Sequence, residues 1–116
     1  MAKSDVRDLL PLNPKAFHVL LAIAGDERHG YAIARAIEAE TGGMIRLTPG
    51  TLYPLIRQML VDSWILEVDG GDDDDSRRRL YRLTPLGRRV AAAEAMRMNE
   101  LVRLARSYKL LTAVQG

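Results

Sequence analysis

The residues best suited to chemistry lie in one short segment, Thr48 to Gln58, where a period of 3.6 separates two kinds of surface. Leu52, Leu55, Ile56, Met59 and Leu60 recur at i, i+3, i+4, i+7 and i+8, the pattern of a helix face turned to a core. At 100° per residue the opposite side collects Gly50, Tyr53, Pro54, Arg57 and Val61, with Gln58 at its edge. That side offers hydrogen-bond donors, an aromatic hydroxyl and no acid, which suits contact with the bases and phosphates of a nucleic acid. Downstream, Arg77-Arg78-Arg79 stands between two strand-like segments, where a β hairpin can carry donors to a phosphate backbone.

Other candidate chemistry falls away. His18 and His29 are far apart and lack cysteine or a matched carboxylate, so structural roles are expected for both. Asp72–Asp75 suggests calcium, but the glycine and closing glutamate of an EF-hand loop are missing. A solvated loop is the better reading, and no metal is assigned. With no glycine-rich phosphate loop and no serine or cysteine nucleophile motif, neither an enzyme nor a cofactor is expected. Trp64 is ordinarily a core or interface residue; its alternative role is an aromatic plate in a ligand cavity.

At 116 residues the chain fits one domain, and 47% apolar residues suffice for a packed core. The absence of cysteine excludes a disulfide scaffold and thiolate metal sites and suits a reducing cytoplasm. Met1-Ala2-Lys3-Ser4-Asp5 leads into mixed charge rather than a signal core, and no window is apolar enough to span a bilayer. A cytoplasmic protein without a membrane partner is expected. The net charge is only +2, but nearly all the positive charge is arginine, whose planar fork matches phosphate and the guanine edge. Arg77, Arg78, Arg79, Arg82, Arg88 and Arg89 crowd one region just after the acidic run.

Local signals set out the elements that must position these side chains. Residues 1–12 have no clear period and read as an arm. Asn13 as N-cap and Pro14 at the first position predict a helix to about Ala24, with Phe17, Leu20, Leu21 and Ala24 inward, stopped by Gly25-Asp26. A second helix is expected from about Gly30 to Thr41, with Ile33, Ala34 and Ile37 on one side and Gly42-Gly43 closing it. Met44–Leu47 reads as short and extended. The third helix starts at Thr48-Pro49 and runs to about Asp62; Pro54 within it means either a later start or one missing hydrogen bond. Ile65–Asp69 and Arg79–Leu83 read as a hairpin, and Thr84-Pro85 opens a last helix to about Leu111.

That last helix would measure on the order of 40 Å, more than the preceding elements can cover. Its stripe of Leu86, Val90, Ala93, Leu101, Leu104, Tyr108 and Leu111 is interrupted by Arg97 and broadened by Met96, Val102 and Ala105. Its natural partner is the same helix of a second copy. Val90, Leu101, Leu104, Tyr108 and Leu111 are therefore assigned to a homodimer interface. The expected fold is mainly α with a small β wing. Residues 1–12 form an arm, 13–83 a winged helix-turn-helix DNA-binding domain, and 84–116 a dimerisation helix and tail.

Arg28-His29-Gly30-Tyr31, Thr41-Gly42-Gly43, Leu47 to Leu55 and Leu80 to Gly87 closely resemble, in order and spacing, the PadR family of bacterial transcriptional regulators. The order of elements is similar to its short subclass with a single C-terminal dimerisation helix. The resemblance implies a homodimeric winged-helix repressor whose dimerisation helices and N-terminal domain enclose small, often aromatic effectors. Carried over by position, its DNA-facing residues are Tyr31, Thr48, Gly50, Thr51, Tyr53, Arg57, Arg78 and Arg79. Two departures stand out. Ser63 occupies a helix-end position where the family commonly has glycine, so a different finish to the third helix is expected, and Asp72–Asp75 makes the wing tip acidic. The function so read is an effector-responsive repressor on a palindromic operator in double-stranded DNA; the alternative is a winged-helix protein-interaction module without DNA binding.

Overall fold

The computed structural model describes residues 5–68 and 79–111. Helix α1, Pro14–Gly25, begins as its local sequence dictates: Asn13 Oδ1 accepts from the Lys15 N–H at 2.8 Å and the Ala16 N–H at 3.4 Å. Its buried arc, Ala16, Phe17, Val19, Leu20, Ala22 and Ile23, is centred between Leu20 and Ile23. Leu21 falls past the edge of that arc and is 41% exposed, contrary to its expected inward position.

Helix α2, Gly30–Glu40, buries Gly30, Ile33 and Ile37. Thr41 stitches the turn that follows: its hydroxyl donates to the Ile37 carbonyl at 2.8 Å and accepts from the Ile45 N–H at 3.0 Å. Gly42 and Gly43 take φ of 62° and 83°, the left-handed region expected after a helix. Residues 44–48 form an irregular link rather than a strand, with Leu47 dipping into the core.

Helix α3, Pro49–Val61, turns Leu52, Ile56 and Met59 inward, with Leu55 and Leu60 half-buried. The start is not delayed, so the missing bond is the right alternative for Pro54: it has no N–H to return to the Gly50 carbonyl. Nor does the helix finish differently for lack of glycine. Ser63 itself adopts φ 64°, the Trp64 N–H donates to the Met59 carbonyl at 2.9 Å, and the Ser63 N–H donates to Leu60 at 3.1 Å. This is the left-handed closure that glycine makes at lower cost.

Three short antiparallel strands form one sheet in the order β1-β3-β2: β1 Arg28–His29, β2 Ile65–Val68 and β3 Leu80–Leu83. His29 pairs with Leu80 and Val68 with Leu80 from the other side. The hairpin was legible in sequence, whereas β1, only two residues long, has no period to read. Asp72–Asp75, Arg77 and Arg78 lie outside the described residues.

Helix α4, Pro85–Ser107, is fastened at its start to the end of α3. The Thr84 hydroxyl accepts from the Gly87 N–H at 2.9 Å and donates to the Ser63 carbonyl at 2.6 Å, while the Thr84 N–H donates to the Trp64 carbonyl at 3.0 Å. Gly87 is buried against the Trp64 backbone, and any β-carbon there would collide with the Trp64 carbonyl. Val90, assigned above to a dimer interface, is instead 0% exposed in the core of its own chain and has no surface left for a partner. The helix has 23 residues, about 34 Å, and stops short of Leu111. Lys109 turns left-handed at φ 64° and the Leu110 N–H donates back to the Ala105 carbonyl at 2.9 Å, so Tyr108 and Leu111 stand beyond the helical stripe. The arm is also part of the fold: a 3-10 turn at Val6–Leu9 lies on α4, Val6 and Leu10 are half-buried, and Leu12 enters the core.

Candidate nucleic-acid interface

The polar face of α3 is open. Thr48, Gly50, Tyr53 and Arg57 are exposed, Thr51 is half-buried, and Arg57 makes no ion pair among the described residues. Thr48 holds the N-cap position without the expected side-chain cap, because its hydroxyl meets the Thr51 hydroxyl at 3.4 Å instead. The first turn of α3 thus lacks a side-chain acceptor, a place an incoming phosphate oxygen can take.

Contacts around Gly30 draw the start of α2 and the loop end of the hairpin to this face. A β-carbon at Gly30 would lie 2.6 Å from the Tyr53 hydroxyl oxygen and 2.9 Å from Cε1, so the Tyr53 ring rests directly on the helix start. Tyr31, on the next residue, is exposed and stacks on His29, with ring centroids 5.6 Å apart and planes within 5°. His29 Nδ1 is 3.2 Å from the Arg79 carbonyl; since a carbonyl only accepts, the proton sits on Nδ1 and His29 donates. Arg79, His29, Tyr31 and Tyr53 therefore gather around Gly30, drawn from the residue just before β3 and from β1, α2 and α3, and Arg57 follows one helical turn after Tyr53 on the open face of α3. Tyr81 lies buried on β3, and burial first, then the charge of Glu67 and the nearby Tyr53, pushes its hydroxyl above the usual tyrosine range. It stays neutral and acts as packing.

Within the hairpin, Arg79 Nη1 pairs with Glu67 Oε2 at 3.0 Å, and Arg82 Nε pairs with Glu27 Oε2 at 2.6 Å. Exposed pairs of this kind contribute up to about 1 kcal/mol, so a phosphate can compete for the guanidinium. The other wing residue carried over, Arg78, lies outside the described residues. Trp64 is half-buried and lines a cleft of about 280 Å³ with Leu12, Leu55 and Met59, while its backbone joins α3 to α4.

A second polar site left little trace in the sequence pattern. Glu94, on the inner side of α4, is 0% exposed. Its Oε1 accepts from Arg97 Nε at 2.7 Å, and its Oε2 accepts from Arg97 Nη2 at 3.0 Å and from the Leu12 N–H at 3.2 Å. The Arg97 hydrogen bonds, assisted by the Leu12 N–H and opposed by burial, hold this carboxyl below the usual glutamate range. Arg97 reads in sequence as a break in an apolar stripe; the glutamate three residues before it was the available signal. Above this clasp an apolar cleft of about 530 Å³ opens between the arm and α4, lined by Leu10, Ala93, Met96 and Leu101 with Arg7 and Arg97 at its edge. Leu101 is exposed where it lines this cleft, and Leu104, Tyr108 and Leu111 are exposed beyond it.

Among the described residues no cluster of three or more histidines, cysteines or carboxylates is placed to hold a metal, and no helix is long and apolar enough to cross a membrane. The model of the transcriptional regulator PadR-like family matches residues 19–93. Transcriptional regulator Rv3488 of Mycobacterium tuberculosis is 31% identical over 86 residues, covering 74% of this chain and 77% of that protein. An uncharacterized 37.1 kDa protein in transposon TN4556 of Streptomyces fradiae is 36% identical over 83 residues, 72% of this chain; the match spans only 22% of that longer protein. Among solved structures, a PadR-like transcription factor from Bacteroides fragilis superposes with a TM-score of 0.69 at 17% identity, over 82% of this chain and 89% of that one. A transcriptional regulator from Clostridium thermocellum gives 0.67 at 17% identity, over 90% and 96%. At these identities the likeness is one of fold.

Proposed function

Because this chain belongs to the PadR-like family of transcriptional regulators, we propose that it acts in the cytoplasm as an effector-responsive repressor, binding a palindromic operator as a homodimer. In this reading α3 enters the major groove, with Tyr53 and Arg57 toward the bases and Thr48, Gly50 and Thr51 toward the backbone. Tyr31, Arg78 and Arg79 take flanking phosphate. The observation that carries it is the gathering of Arg79, His29, Tyr31 and Tyr53 around Gly30, with Arg57 one turn along α3, because a surface drawn from β1, α2, α3 and the residue leading into β3 can follow a groove and its flank together. The exposed Leu101 and Leu104 support the second copy, with Tyr108 and Leu111 extending that surface past the helix end. The apolar cleft beside the arm suits a small aromatic effector, which would weaken DNA binding by favouring one of two dimer arrangements. Trp64, on a separate cleft, is the second candidate contact for it.

The test is a binding titration with duplex from the gene's own upstream region against unrelated duplex, repeated over a range of salt. Specific, steeply salt-dependent binding is expected, and Arg57→Ala should weaken it by roughly 1–3 kcal/mol per specific contact while leaving the thermal midpoint in place. Light scattering should give a dimer at micromolar concentration. A winged-helix protein-interaction module is the second reading, favoured by the Arg79–Glu67 pair and the net charge of +2. No binding to either duplex at low salt would select it.

A further inference from the structure

We propose that His29 is a positioning residue for DNA reading. Through its Nδ1 proton it latches the loop end of the β2–β3 hairpin to the start of α2, and through its ring face it fixes the plane of Tyr31. The inference rests on the DNA-binding reading above and adds to it a residue that touches neither base nor phosphate in that reading. Strand β1 contributes only Arg28 and His29 to the sheet, too little backbone pairing to hold a hairpin edge by itself. The side-chain bond from His29 reaches Arg79, one residue before the first paired residue of β3, and so extends the fastening toward the wing.

The same ring serves a second neighbour. With the two planes within 5°, Tyr31 cannot swing about its χ angles without leaving the imidazole face. Gly30, between them, receives the Tyr53 ring. Three consecutive residues thus each hold one component of the patch: His29 the hairpin, Gly30 the tyrosine of α3, and Tyr31 its own ring. A histidine with only a packing role would be enclosed; His29 is half-buried and its bond to Arg79 is made in the open.

Two substitutions separate the two roles. His29→Phe keeps the flat face and removes the donor, whereas His29→Asn keeps a donor near the place of Nδ1 and removes the face. With a mixed-sequence DNA duplex as probe, His29→Phe should weaken binding roughly three- to tenfold, the equivalent of one net hydrogen bond. It should also flatten the slope of log affinity against log salt by about 0.9 for each phosphate that the wing no longer neutralises. His29→Asn should keep the slope of the unaltered protein. An unchanged slope in His29→Phe, or an equal weakening in both variants, would overturn the latch. A readout without DNA keeps the two proposals apart: long-range 1H–15N spectra of the free protein should show the neutral His29 ring protonated at Nδ1. The Nε2–H form would overturn the latch even if DNA binds, whereas an Nδ1–H signal with no DNA binding would overturn the functional reading and, with it, the role proposed for His29.

Discussion

The two halves of α4 are made of similar residues and sit in opposite surroundings. As far as Glu94 the helix is part of the domain core: Val90 is 0% exposed, Ala91 is buried, and Gly87 lies against the backbone of Trp64. Beyond it, Met96 is 70% exposed, Leu101 51% and Leu104 52%; Leu10 of the arm shares a cleft with Met96 and Leu101 but leaves both open. Both halves carry an apolar stripe at helical spacing, so the pattern by itself does not say which half is covered. What divides them is the arm, whose Leu12 N–H ends on Glu94 and whose 3-10 turn lies along the helix. An apolar stripe therefore does not by itself say which part of a helix the chain's own core covers; the tertiary contacts do.

The largest test of this division is a pair of charge insertions. Val90→Asp should abolish cooperative thermal unfolding, since an unpartnered carboxylate at a fully buried position costs more than the roughly 2–5 kcal/mol of a buried aliphatic truncation. Leu101→Asp with Leu104→Asp should leave the far-ultraviolet circular dichroism of the folded domain intact and change only the mass seen by light scattering. Equal unfolding by both would erase the distinction between the halves.

At the boundary itself, Glu94→Gln should lower stability by about 1–3 kcal/mol, the usual cost of disturbing a buried polar contact. The sign with pH follows from the direction of the shift. A carboxyl held low in the folded state stabilises fully above the ordinary glutamate range and loses that contribution as pH falls toward its folded value. Urea midpoints measured between neutral and acid pH should therefore fall less steeply for the Gln variant than for the natural chain. Parallel curves would mean that Glu94 does not form the clasp in solution.

The smallest effect compares the two helix ends that turn left-handed without glycine. Ser63→Gly, beside the core, should raise global stability by about 0.5–1 kcal/mol, by relieving a conformation that β-carbon residues enter at a cost. Lys109→Gly, at the end of the outer half, should leave the thermal midpoint of an isolated monomer unmoved, because a frayed terminus contributes little to global unfolding. In a dimer it should gain part of the same increment.

Much of this fold could be read from local chemistry. Asn13-Pro14, Thr48-Pro49 and Thr84-Pro85 marked three helix starts to the residue, and Gly42-Gly43 marked a finish, because caps and left-handed turns depend on two or three neighbouring residues. What depended on distant segments was missed or misplaced. Strand β1 exists only through pairing with β3, Leu21 is displaced by the direction from which the core approaches α1, and Val90 was separated from Leu101 by which neighbours arrive. The candidate site divides in the same way. Periodicity located the Tyr53 and Arg57 face, and resemblance located Tyr31. The His29 bond to Arg79, fifty residues away in sequence, left no local trace, and of Glu94 only the i, i+3 spacing to Arg97 was visible, not its burial.

The seam between α3 and α4 makes these two helices a crank. Thr84 binds both Ser63 and Trp64, and the Trp64 backbone lies on Gly87, so the end of one helix and the start of the other turn as a single piece. The far end of α3 lies about 20 Å from that fulcrum, at 1.5 Å for each of its 13 residues. A swing of about 10° in α4 would carry that end roughly 3.5 Å, close to the 3.4 Å step between stacked base pairs. In the dimer proposed above, a modest change in how two such helices lean on one another would be geared to a shift of about one rung along a bound duplex.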